Sequence, residues 1–424
     1  MTYQETLAHI FGLARFGMKP GLARITALLD NLGHPERRLI AVHVAGTNGK
    51  GSTASFLAAI ARASGYRVGL FTSPHLTSFT ERIRVNDAEV SEGEVVTLAA
   101  RVMAAAPPET TFFELVTAMA LLHFAEQRVE LAVLEVGMGG GLDATNVVHG
   151  RVALFTPISL DHCLYLGESV AAIAAEKAGI MGAGCSAAMA PQPEEARLVI
   201  EERARVLGVN LSIADRDFSA SWQGESLSYQ SGQMTLHDLH PGIGGRYQQS
   251  NVALALRGAE LLAAEGFTLN ADSCRHGIDS ARWPGRMELF AGPPRTLLDG
   301  AHNPDGSRAL AESLSSIPRG RLLVVIGMME EKDAAGIITP LLPLVSRFYT
   351  VRPSLDRAVP AHELAGICRS LGAEAVVAGS VTEGLHLAHS DAENDDLILV
   401  CGSLFAVGEA RAMLLHYPYQ PIRG

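Results

Sequence analysis

Residues 44–53, V-A-G-T-N-G-K-G-S-T, bring together the residue types that can hold a phosphate. The apolar run 39–44 reads as a buried strand, and the spacing of Phe56, Leu57, Ile60 and Ala61 reads as a helix that begins after Ser52. A strand, a glycine turn and a helix start meet here. In that geometry the backbone N–H groups of Gly46, Thr47, Asn48, Gly49, Lys50 and Gly51 are expected to point at one anion, aided by the positive end of the helix dipole. Lys50 would lie along the terminal phosphates, and Ser52 or Thr53 would offer a hydroxyl to magnesium. The spacing departs from the strict phosphate-loop pattern, because Val44 stands at its first glycine and Gly51 precedes the serine. A ligand-free glycine turn is the alternative reading of this stretch alone.

Other candidates fall where further strands are expected to end. The runs 67–72, 131–136 and 152–158 are apolar, and they stop near Ser73, Glu135 and His162. Strands that alternate with helices, such as those expected over 92–106 and 112–127, indicate a parallel, doubly wound sheet. Ligands bind beyond the carboxyl ends of such strands. A carboxylate and an imidazole beside a phosphate site suit Mg²⁺, although Glu135 could be a strand-end acceptor and His162 a core histidine. Further along, D-G-A-H-N-P (299–304) ends one strand and starts a helix at Pro304. Asp299 and His302 could reach a nucleotide or an amino acid there, or form a polar turn with Asn303 as N-cap. Arg286 could meet a phosphate on closure or pair with a surface carboxylate.

The elements that must position these groups are too many for one core. At 424 residues the length points to two or three domains, and W-P-G-R (283–286) interrupts periodicity where a second strand series begins. The expected fold is α/β: a doubly wound phosphate-loop ATPase domain over 1–284 and a smaller, Rossmann-like α/β domain over 285–424. Within the first, 212–245 turns short and polar and resembles a hairpin turning at Ser231 and Gly232.

Composition bounds the partners. The chain is 48% hydrophobic and 19% charged, with net charge −11. No run of basic residues is present, so a nucleic-acid or anionic-membrane surface is not expected. Five scattered cysteines without a C-x-x-C pair indicate neither disulfides nor zinc. The N-terminus has no signal-like pattern and no apolar run is long enough to span a bilayer, so a cytoplasmic location is expected. Of 34 basic residues only Lys19, Lys50, Lys177 and Lys332 are lysine. A compact ammonium fits beside a phosphate where a planar guanidinium does not.

Taken in order, the motifs resemble the Mur-ligase superfamily, and within it the folylpolyglutamate synthase/dihydrofolate synthase branch. The resemblance rests on F-G (16–17), H-V-A-G-T-N-G-K-G-S (43–52), T-S-P-H-L (72–76), T-F-F-E (111–114), E-V-G-M-G-G (135–140), L-D-A-T-N (142–146), S-L-D-H (159–162), E-K-A-G-I (176–180), W-P-G-R-M-E (283–288), D-G-A-H-N-P (299–304) and C-G-S-L-F (401–405). It implies an ATP- and Mg²⁺-dependent amide ligase that adds L-glutamate to dihydropteroate, to a folate, or to both, working as a monomer on small molecules.

By the same resemblance, Lys50 and its loop hold the triphosphate, and Ser52, Ser73, Glu135 and His162 serve the metals. Lys177 matches a carbamylated metal ligand. Asn251, Arg286 and Asp299 match nucleotide contacts, Thr111 and Phe113 the pterin motif, and His302 and Ser403 the glutamate site. Gly141 stands where the family usually has arginine, and Cys163 where threonine or methionine is usual. A cell-wall ligase acting on a UDP-muramoyl peptide is the alternative within the superfamily, and this sequence shows no UDP-binding domain ahead of the loop. An ATP-gated binding protein without catalysis would keep the loop and dispense with Glu135, His162 and Lys177.

Overall fold

The computed structural model describes residues 1–13, 17, 19–161 and 163–421. Three sheets organise it. The first contains β1 (Ala41–Ala45), β2 (Val68–Phe71), β3 (Ile83–Val85), β4 (Ala88–Glu89), β5 (Leu131–Glu135), β6 (Gly150–Phe155), β7 (Ser186–Met189) and β8 (Asn210–Ile213), in the order β4-β3-β2-β5-β1-β6-β7-β8. From β2 to β8 all pairs are parallel, and β3 and β4 add an antiparallel edge. The doubly wound sheet expected from the alternation is therefore present, with an antiparallel margin.

Both faces of this sheet are covered, as its continuous apolar strands require. Val42, Val44, Leu131 and Val133 pack to one side with the Lys50–Ala63 and Gln248–Leu262 helices. Ala41, Ala132 and Leu134, one residue out of phase, pack to the other with Phe112–Glu126 and the N-terminal helices. The period of two along each strand thus sorts neighbours into opposite cores.

The 212–245 region forms a second, antiparallel sheet of β9 (Phe218–Gln223), β10 (Ser226–Ser231) and β11 (Thr235–Leu239). The hairpin expected near Ser231 is β10 to β11, and β9 extends it. Beyond Arg286 lies the third sheet: β12 (Glu288–Phe290), β13 (Arg295–Leu298), β14 (Leu322–Ile326), β15 (Arg347–Val351), β16 (Ala375–Gly379) and β17 (Leu397–Cys401), ordered β12-β13-β17-β14-β15-β16. Only β12 runs antiparallel. Its two faces again divide by alternation, with Val324 and Ile326 in one core and Leu323 and Val325 in the other. Cys185, Cys274, Cys368 and Cys401 are buried free thiols. No helix among the described residues is long and apolar enough to cross a membrane.

Candidate functional site

Strand order decides what comes together. β2, β5, β1 and β6 are consecutive neighbours, so the segments leaving their carboxyl ends share one edge: Ser73 after β2, Glu135 ending β5, the 46–52 loop after β1, and Ser159 to Asp161 after β6. In the third sheet β13, β17 and β14 are neighbours, and their carboxyl ends lead to Asp299 and His302, to Ser403, and to Lys332. The two edges face one cleft. Gly51, Ser73, His75, Glu135, Trp283 and Arg286 are among the residues that line it.

The loop is built as its residue types suggest, with two corrections, the first being that the helix starts at Lys50 and not after Ser52. Gly49 has φ 89° and is the N-cap of the Lys50–Ala63 helix, a left-handed position that a side chain would strain. Gly51 lies under the Trp283 ring, which a Cβ would approach to 2.7 Å. No side chain caps this helix, and its first intrahelical bond is Thr53 N–H to the Gly49 carbonyl at 2.9 Å. The N–H groups of Lys50, Gly51 and Ser52 therefore have no partner within the helix. Thr47 and Asn48, however, donate their N–H groups to the Pro157 carbonyl at 2.9 and 3.3 Å. Those two groups anchor the loop to the segment after β6 and do not point at an anion, so the expectation of a full ring of inward N–H groups is corrected. The Thr47 hydroxyl donates to the Ser159 carbonyl and accepts from the Ser159 N–H, both at 3.0 Å. Lys50 Nζ folds back onto the carbonyls of Gly46 and Thr47 at 3.3 and 3.2 Å.

Glu135 is buried and accepts one backbone bond, from Ser73 N–H at 3.1 Å. Burial pushes its pKa up, against the opposing pull of Lys50, that bond, Arg286 and Arg82. Lys177, on the Val170–Ala178 helix, is 5% exposed. Burial, reinforced by the Lys50 charge, lowers its amine to a pKa of about 7, with Asp161 and Asp143 opposing. Asp143 accepts from Met138 N–H, Thr145 N–H and the Thr145 hydroxyl, and its carboxylate closes the 138–145 loop. Gly141 donates its N–H to the Glu176 carbonyl at 3.1 Å, so the glycine-rich loop lies directly against the Lys177 helix.

Among the described residues no three His, Cys, Asp or Glu side chains gather to hold a metal. His162 lies outside the described residues. The remaining donors, the Ser52 and Ser73 hydroxyls and a buried carboxylate with a single backbone bond, are hard oxygens beside a phosphate-type loop. That set fits Mg²⁺, which takes few protein ligands and completes its shell with water and phosphate.

Several expected contact residues are already engaged. Asn251 accepts from the Thr53 hydroxyl at 3.3 Å and donates to Gln248 at 2.7 Å, which places it behind the loop. Ser52 is 2% exposed. Asp299 accepts from the Tyr247 hydroxyl, Met287 N–H and Ala301 N–H at 2.8, 3.0 and 2.9 Å. Arg286 donates to the Gly285 carbonyl at 3.0 Å. Thr111 forms a capping box with Glu114 at the start of Phe112–Glu126, and Phe113 packs near Phe71, with ring centres 5.9 Å apart. Ser403 is a buried N-cap that accepts from Ala406 N–H at 3.1 Å.

His302 has the clearest tautomer. Its Nδ1 lies 2.8 Å from the Gly300 carbonyl, an atom that can only accept, so Nδ1 carries the proton. In the neutral ring Nε2 then holds the lone pair, 3.8 Å from Asp161 Oδ2. Asp161 is in turn paired with Lys332 Nζ at 2.6 Å. Sequence reasoning did not single out Tyr247, Asp161 or Lys332; only the rarity of lysine pointed to the last.

Two family models match the chain: the Mur ligase middle domain over residues 44–258 and the Mur ligase glutamate ligase domain over 285–404. Folylpolyglutamate synthase of Lacticaseibacillus casei is 33% identical over 434 residues, covering 98% of this chain and 99% of that protein. This chain belongs to the folylpolyglutamate synthase/dihydrofolate synthase family.

A solved bifunctional folylpolyglutamate synthase/dihydrofolate synthase with Mn, AMPPNP and L-glutamate bound superposes with a TM-score of 0.87 at 32% identity, over 97% of this chain and 98% of the other. Family membership also extends to larger proteins. A probable bifunctional folylpolyglutamate synthase/dihydropteroate synthase of Halobacterium salinarum is 36% identical over 424 residues, 97% of this chain but 51% of that relative. The chain therefore spans about half the length of that relative and nearly all of the Lacticaseibacillus enzyme.

Proposed function

We propose that this family member is an ATP-dependent ligase that adds L-glutamate to the free carboxylate of dihydropteroate, of folates, or of both, through an acyl phosphate. The observation that carries the reading is that the His302 turn meets the phosphate-loop edge, with Asn303 bonded to Asn48 of the loop, His302 Nε2 3.8 Å from Asp161 and Asp161 paired with Lys332 at 2.6 Å. The family relationship and the nucleotide and glutamate in the related solved structure support it.

In this reading, residues 1–284 hold ATP and the pteroate or folate, and residues 285–424 bring glutamate. A carboxylate is a poor electrophile, so its oxygen first takes the terminal phosphoryl group of ATP. Lys50 and the free N–H groups of Lys50, Gly51 and Ser52 hold the charge on the transferring group. Arg286 adds its guanidinium, and Gly46 to Ser52 with Asn251 and Asp299 shape the nucleotide site. Ser52, Ser73, Glu135 and His162 would hold Mg²⁺, carbamylated Lys177 would serve a second ion, and the metal would supply further charge neutralisation. Thr111 and Phe113 border the pterin. The glutamate amine, placed by Ser403 and His302, then displaces phosphate. His302 Nε2 takes the proton that the ammonium must lose. Closure keeps water from the acyl phosphate. The enzyme works as a cytoplasmic monomer.

The test supplies purified protein and Mg-ATP with dihydropteroate and with tetrahydrofolate in parallel. The expected result is glutamate-dependent ADP release with a product heavier by one glutamyl group. ADP release that ignores glutamate with every pteroate and folate would overturn the reading.

A further inference from the structure

Away from the reacting groups, the two sides of the cleft meet through a pair of amides. Asn48 Nδ2 donates to Asn303 Oδ1 at 3.2 Å, and Asn303 Nδ2 donates to Asn48 Oδ1 at 2.9 Å. Asn48 is in the phosphate loop, and Asn303 directly follows His302. A reciprocal two-point contact fixes rotation as well as distance, which a single bond does not. Asn303 is 4% exposed, so its amide has little access to competing water.

Capping does not account for this arrangement. As N-cap of Pro304–Leu314, Asn303 uses only its oxygen, which accepts from Gly306 N–H at 2.8 Å. Serine or aspartate provides the same acceptor. The Asn303 NH₂ group has no part in the cap, and it is spent on Asn48. Nor is Asn48 loose, since its own N–H is tied to Pro157 and its neighbour Thr47 is bonded to Ser159. A shift of the His302 turn is thus passed to the loop backbone. Lys332 and Asp161, 13% and 12% exposed at their side chains, make a second tether between the same two edges.

We propose that the Asn48–Asn303 amide pair registers the phosphate loop against the His302 turn, so that closure of the cleft sets the distance between the acyl phosphate and the attacking amine. Both are positioning residues. The inference rests on the ligase reading above, but part of its test does not depend on it.

Asn303→Ser keeps the cap acceptor and removes donation to Asn48, while Asn48→Ala leaves the cap untouched. For each, the expected outcome is an unchanged melting temperature and kcat lower on the order of tenfold to a hundredfold, and Asn303→Ser, which lies outside the nucleotide site, should also keep the wild-type KM for ATP. The ratio of ADP released to amide formed should rise above that of the wild type, because a poorly registered cleft admits water. The double variant should be no worse than either single one, since both remove the same contact. Wild-type kcat and wild-type ADP-to-amide ratio in either folded variant, or losses that simply multiply, would overturn the proposal. X-ray scattering with Mg-AMPPNP reads the same contact without turnover: Asn303→Ser should show a larger radius of gyration than the wild type, and identical curves would count against registration. An inactive wild type with a scattering difference would discredit the ligase reading and leave the contact standing.

Discussion

Lys50 and Lys177 are two of four lysines in the chain, and their surroundings set them to different tasks. Lys50 is half-buried and held by two loop carbonyls, which a phosphate oxygen can replace. Its removal should leave the core intact and cost turnover on the order of a thousandfold, the scale of losing one preorganised charge contact. Steady-state assays on folded Lys50→Ala check this, and near-normal turnover would contradict it. Lys177 is held by burial at a pKa of about 7, so much of its amine is unprotonated near neutrality. The neutral nitrogen can attack carbon dioxide, forming an N–C bond and releasing a proton to give a carbamate. An ammonium would repel a metal, whereas the carbamate offers it an oxygen. Protein equilibrated with ¹³C-bicarbonate should show a carbamate carbon resonance that Lys177→Ala lacks. Its absence in the active wild type would rule the modification out.

The strand that delivers the loop carries a titration of its own. His43 in β1 is wholly buried, with Nε2 3.0 Å from the Thr145 carbonyl and Nδ1 without a hydrogen-bond partner. Burial lowers its pKa to about 4, with the Thr145 bond opposing. Between about pH 6.5 and 4 the unfolded chain binds a proton that the folded chain refuses, so stability is lost as pH falls through that window. The loss should total about 3 kcal/mol at 1.36 kcal/mol per pKa unit. Urea midpoints for wild type and His43→Leu should converge or cross as pH drops from 7 to 4, and a constant gap would contradict the account.

This element also shows what could be read beforehand. The strand, turn and helix of 39–63 and the convergence of strand ends follow from apolar periodicity and turn chemistry, which are local. The short strands β3, β4, β7 and β8 carry too few residues for a period to declare itself. The bonds from Thr47 and Asn48 to Pro157, and the Tyr247–Asp299 and Asp161–Lys332 pairs, join segments 52 to 171 residues apart or in different strands' loops, so no local pattern announces them.

At the scale of the molecule, two mostly parallel sheets present the carboxyl ends of their parallel strands to one cleft, and the chain passes between them through Trp283 to Arg286. That division has a chemical sense: one edge suits phosphoryl transfer, and the other suits delivery of an amine to the activated acid. Direct attack on an unactivated carboxylate would leave the phosphate loop without a role. The most direct test supplies dihydropteroate or a folate with its reacting carboxylate labelled with ¹⁸O, together with ATP and glutamate, and analyses the phosphate released. The account predicts one labelled oxygen transferred to phosphate for each amide formed. Amide formation with unlabelled phosphate would contradict it.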